Sequence, residues 1–163
     1  MGATGPAGTT VNIGASAFRN FDQTIPNDTD TLIDFNGVDY ATNMVFDPTH
    51  SSLVVTTSGR YLLKSRIAWT YSPNVATGRR VSILVNGAAV AFDLQDAETI
   101  GQVPQQPIFG SLTTQEVSVI RNLNVGDRIQ LAVYQNTGVD ATSRSFGGSL
   151  ELYPKLQAEW LAP

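Results

Sequence analysis

Apolar residues recur at every second position along most of this chain, a period that fits strands and excludes long amphipathic helices. From Tyr61 to Tyr71, the side chains of Tyr61, Leu63, Ile67, Trp69 and Tyr71 share one parity, and Lys64, Arg66 and Thr70 share the other. Successive side chains of a strand point to opposite sides, so this segment buries one face and wets the other. Val81, Ile83 and Val85 repeat the pattern and stop at Asn86-Gly87. Asn-Gly tolerates positive φ at both positions and so closes a two-residue hairpin, with Ala88 to Leu94 as the expected return strand. Val117 and Val119, then Ile129, Leu131 and Val133, then Phe146, Leu150 and Leu152 carry three more strands.

Turn signals stand between these runs at Pro26-Asn27-Asp28, Asn36-Gly37, Asp47-Pro48, Ser58-Gly59, Ser72-Pro73-Asn74, Gly126-Asp127 and Thr137-Gly138. Their spacing is that of sandwiches and barrels. Residues 95–110 hold Pro104, Pro107 and several glutamines, and read as a long loop. The expected fold is an all-β sandwich, and 163 residues make one domain.

Composition removes several functions. The chain has no cysteine, hence no disulfide scaffold, thiolate zinc site or cysteine nucleophile. It has one histidine, His50, in a turn-like Asp47-Pro48-Thr49-His50-Ser51 stretch, which argues against a multi-histidine metal site or a triad and for a solvated loop residue. The net charge is −4 and only Arg79-Arg80 are adjacent basic residues, so a nucleic-acid partner is not expected. No apolar run reaches membrane-spanning length and no signal-peptide pattern opens the chain. Either the chain is made in the cytoplasm or it starts inside a longer protein. The fourteen acidic residues follow no motif that would single out a catalytic pair, so no enzyme is expected.

The first residues read Gly2-Ala3-Thr4, Gly5-Pro6-Ala7, Gly8-Thr9-Thr10. Glycine at every third position is the steric demand of a collagen triple helix, whose axis admits no side chain. A flexible Gly/Ala/Thr linker is the other reading.

The order of the later motifs resembles the globular head of complement C1q and its TNF-like relatives. The motifs are a short apolar strand after the triplets, Ala15-Ser16-Ala17-Phe18; Asn43 to Asp47; Ser58-Gly59-Arg60-Tyr61-Leu62-Leu63; Val85-Asn86-Gly87; Leu123-Asn124-Val125-Gly126-Asp127-Arg128-Ile129; and Ser145-Phe146-Gly147-Gly148-Ser149-Leu150. The missing cysteines and the extra C-terminal residues set the chain apart from vertebrate heads and point to a bacteriophage or bacterial relative. The resemblance implies a ten-stranded jelly roll that forms a homotrimer. It divides the chain into a collagen-like Gly-X-Y tail or linker at 1–14, a head at 15–155 and a C-terminal extension at 156–163. That extension, Leu156 to Pro163, is either one more strand on its own subunit or a segment that docks elsewhere.

Site expectations follow. Tyr61, Trp69, Tyr134 and Phe146 are candidates for the subunit interface, as aromatic side chains are enriched there; Tyr134 has the parity opposite to Ile129, Leu131 and Val133, so a neighbour must cover it. Asn74, Arg79, Gln102 and Gln105 stand for the loops that would contact a surface. Asp28 and Asp30 are weak calcium candidates that lack a ligand-loop motif; no cofactor is otherwise expected. The expected function is a non-enzymatic structural or adhesive trimeric head of a collagen-like fibre, on a virion fibre, capsid decoration or bacterial surface filament. Its partners would be its own copies and a host-surface glycan or protein, or a capsid or fibre component, without membrane insertion. The alternative is a carbohydrate-binding module using Tyr40, Tyr71 and Trp160.

Overall fold

The computed structural model describes residues 12–69, 78–95, 113–136, 138, 141–143 and 153–163. The Gly triplets, Tyr71, Asn74, Gln102, Gln105 and Phe146 lie outside them. Thirteen strand segments are described, and all pair antiparallel. They are β1 (Gly14–Phe18), β2 (Gln23–Ile25), β3 (Thr31–Leu32), β4 (Gly37–Thr42), β5 (Met44–Asp47), β6 (Ser52–Val55), β7 (Gly59–Trp69), β8 (Arg79–Val85), β9 (Ala88–Gln95), β10 (Thr113–Leu123), β11 (Arg128–Gln135), β12 (Ala141–Ser143) and β13 (Lys155–Ala162).

They form two sheets. Sheet A has the order β4-β1-β13-β7, with β10 on the other side of β7, and β12 with β2 beyond the end of β13. Sheet B has the order β5-β6-β11-β8-β9, with β3 beside β11. The alternation expected from the sequence decides what fills the space between them. Ala15, Ala17, Leu63, Ile67, Trp69, Leu156 and Ala158 point in from sheet A, and Leu53, Val81, Ile83, Ile129, Leu131 and Val133 point in from sheet B. Each leucine, isoleucine and valine among them contributes about 1.5–3 kcal/mol by leaving water, and each alanine less.

Residues 156–162 make up nearly all of β13, so of the two readings of the C-terminal extension the one that holds is a further strand on its own subunit. This strand lies between β1 and β7, with Leu156 opposite Ser65 and Ala17, and Ala158 opposite Leu63 and Ala15. The boundary drawn at 155/156 falls between the first two residues of this strand. The strand is central because Leu156 and Ala158 are fully buried.

The registers also fix two poles. Gly14 pairs with Glu159, and Ile13 accepts from the Trp160 backbone N–H at 3.0 Å, so the segment that leads into β1 and the end of β13 lie at the same pole. The Asn86-Gly87 turn and the 124–127 turn lie there too. Trp69, Gly78, Gln95 and Thr113, the ends of the connections 70–77 and 96–112, meet at the opposite pole, where Thr113 pairs with Trp69 and Arg79 with Gln95.

Candidate functional site

Two sheet faces look outward, and each carries side chains that the core does not need. On sheet A the outward parity of β7, β10 and β13 is mostly polar, yet it places Ile120 opposite Leu62 and Leu62 opposite Glu159. Ile120 is 51% exposed, and Tyr40 on the edge strand β4 is 39% exposed. Two pairs of the charges among these apolar groups are formed within the chain. Lys155 Nζ lies 3.0 Å from Asp39, which also accepts from Ser16 Oγ at 2.8 Å, and Lys64 Nζ lies 3.9 Å from Glu159. The Tyr40 hydroxyl is pushed up, first by burial and then by the negative charges of Glu159 and Asp39. A trough of about 380 Å³ runs between Lys64, Arg66, Glu116, Lys155 and Gln157. A surface whose charges are already neutralised loses less on desolvation than one carrying isolated charges.

On sheet B a groove of about 530 Å³ has a floor of Ser82, Ala89 and Ala132 and walls of Leu32, Leu84, Phe92 and Leu94. Its polar end is held by Arg80, whose guanidinium lies 2.5 Å from Asp30 and 5.2 Å from the Tyr134 ring centre. The Tyr134 hydroxyl donates to Asp28 Oδ1 at 2.5 Å, and this hydrogen bond is the first cause of its raised pKa.

These placements correct several expectations. Tyr61 and Trp69 are fully buried in the chain's own sandwich and so cannot contact another subunit. Tyr134 is covered by Arg80 of the same chain, so its outward parity requires no second subunit. Arg79 is a buried strand residue, not a surface loop residue: its guanidinium lies 5.0 Å from the Trp69 ring centre, and burial lowers its pKa. Asp28 and Asp30 are engaged by Tyr134 and Arg80, and among the described residues no group of three or more His, Cys, Asp or Glu side chains gathers as metal ligands. Tyr40 and Trp160 share no platform, since Trp160 packs against the core. His50 does sit in a turn, where its Nδ1 lies 2.8 Å from Asp47 Oδ2.

Sequence reasoning missed four features. Leu62 and Ile120 were visible as apolar residues on the polar parity of their strands. Arg80 was visible by parity with Val81 and Ile83, which put Arg79 inward and Arg80 outward. Gln115 had no such signal. It accepts from Trp69 Nε1 at 2.7 Å and donates to the Arg79 carbonyl at 3.1 Å, which ties β7 and β10 of one sheet to β8 of the other.

No family profile and no curated protein matches the sequence. Among solved structures the chain is similar to the structure of Eiger TNF from S. frugiperda, with a TM-score of 0.65, 15% identity, and 93% of each chain covered. At that identity the likeness concerns fold alone, and the fold is a TNF-like jelly roll.

Proposed function

We propose that this chain is the globular head of a homotrimer with a structural or adhesive role and no catalytic one. The observation that supports it best is the outer face of sheet A, where Tyr40, Leu62 and Ile120 stand exposed or half-buried beside the Lys64–Glu159 and Lys155–Asp39 pairs. Copies arranged around a three-fold axis meet head to tail and close a ring, and each would contribute this face.

The two poles give the head a direction. The segment leading into β1 enters beside the end of β13, so a collagen-like stalk made from the Gly triplets would be attached there. The connections 70–77 and 96–112 begin and end at the far pole, where a head on a fibre meets its target. In this reading the head belongs on a virion or another extracellular surface, with a host glycan or protein, or a capsid or fibre component, as partner. The bacteriophage or bacterial setting rests on the sequence features alone.

Size-exclusion chromatography with light scattering on the full chain tests the reading. The expected mass is three times that of the chain, and a monomer at micromolar concentration overturns it.

A further inference from the structure

Two Asn-Gly pairs occur in the sequence, Asn36-Gly37 and Asn86-Gly87, and the fold treats them differently. In such a pair the glycine backbone nitrogen can attack the asparagine side-chain carbonyl carbon. The carboxamide C–N bond breaks, ammonia leaves, and water opens the resulting succinimide to aspartate or isoaspartate. The reaction needs room around the glycine, freedom of the carboxamide and access for water.

Gly37 has none of that room. The Phe18 ring lies over it so closely that a Cβ there would overlap the ring. Asn36 is held at three atoms: Nδ2 donates to Asn20 Oδ1 at 2.6 Å, Oδ1 accepts from the Asn20 N–H at 3.1 Å, and its own N–H donates to the Phe18 carbonyl at 3.1 Å. Asn86 and Gly87 instead form the exposed tip of the β8–β9 hairpin, with φ of 52° and 80°. No atom lies within 4 Å of where a Gly87 Cβ would be. Asn86 is held at the same three atoms as Asn36, with Nδ2 donating to Asp127 Oδ1 at 2.8 Å, Oδ1 accepting from the Arg128 N–H at 2.9 Å and its own N–H donating to the Arg128 carbonyl at 2.9 Å, so the two pairs differ in the room around the glycine.

We infer that Asn86 is a site of spontaneous deamidation, that Asn36 is protected, and that the Asp127 carboxylate is the brake on the reaction at Asn86. The product undoes its own restraint. An amide donor facing a carboxylate becomes a carboxylate facing a carboxylate, and the join between the 86–87 and 124–127 turns opens. Isoaspartate further lengthens the backbone of a two-residue turn whose geometry sets the β8–β9 register.

The experiment holds the purified full chain in mildly alkaline buffer and follows positions 36 and 86 by peptide mapping that resolves aspartate from isoaspartate. Conversion at 86 is expected to exceed that at 36 by about tenfold or more; Asp127→Ala removes a hydrogen bond to a charged group and is expected to raise the rate at 86 by about tenfold. Asp127→Ala also loses the contact from the Asn124 N–H to Asp127 Oδ2, so Asp127→Asn, which keeps an acceptor oxygen, is measured beside it and is expected to stay closer to the parent rate. Conversion at 36 as fast as at 86 overturns the assignment of the site. Equal rates in the parent and Asp127→Ala, or equal acceleration in both variants, overturn the role of Asp127.

Discussion

Trp69 is the largest fully buried side chain described, and its one polar atom is satisfied by Gln115, which passes a second bond on to the Arg79 carbonyl. Gln115→Leu would leave an indole N–H unpaired in the interior, at an expected cost of about 1–3 kcal/mol in urea denaturation. Ser65 is the opposite case: its hydroxyl is buried among Leu63, Ile67 and Leu156 with no partner. Ser65→Ala is expected to change stability by less than about 0.5 kcal/mol or to raise it, because no hydrogen bond is lost. Acid sensitivity has a residue-level origin as well. Asp47 lies 2.6 Å from Arg128 and 2.8 Å from His50, contacts that hold its pKa down from 3.8 to about 2. The unfolded chain binds that proton first, so the stabilisation is complete above 3.8 and declines as pH falls toward 2. Asp47→Asn is expected to lower the melting temperature at neutral pH and to flatten its dependence on pH in that window.

At the scale of elements, legibility followed alternation. The runs in β7, β8, β10 and β11 carried enough large apolar residues to be read directly, and their partners followed from the Asn-Gly and Gly-Asp turns. β13 was harder, although Leu156, Ala158 and Trp160 alternate, because its middle inward residue is only alanine and the expected head ended earlier. Alanine suffices because the neighbouring strands supply Ala15 and Leu63 beside it. The Gln115 link was not legible at all, since a glutamine between Thr114 and Glu116 looks like one more solvated residue until the opposite sheet is in place. The junction of β7 and β13 can be probed at Gly59. Its φ is +155°, and a Cβ there would meet both the Trp160 ring and the Ala162 carbonyl oxygen. Gly59→Ala is expected to destabilise the chain by about 1–3 kcal/mol. Trp160→Ala in the same chain removes the ring but leaves the Ala162 carbonyl and the positive φ, so the double variant is expected to fall short of the sum of the two single changes by only part of the Gly59→Ala loss.

At the scale of the whole molecule, the two outer faces make different demands. Sheet A combines exposed Ile120 and Tyr40 with two internal ion pairs, whereas sheet B concentrates its exposed apolar side chains, Phe92 at 64% and Leu94 at 58%, along one groove. If copies meet through sheet A, Ile120→Glu places an unpaired charge beside Leu62 in each of three equivalent contacts, and the assembly is expected to fall apart. Phe92→Glu adds the same charge to the other face and is expected to leave the mass unchanged. Melting curves supply a second readout, because an assembly that binds only folded chains raises its melting temperature with concentration. The parent and Phe92→Glu are expected to show that dependence, and Ile120→Glu to melt at one temperature whatever its concentration. Dissociation by Phe92→Glu with Ile120→Glu still trimeric would move the interface to sheet B, and the groove now open between Leu32 and Phe92 would then be the surface on which neighbouring copies meet.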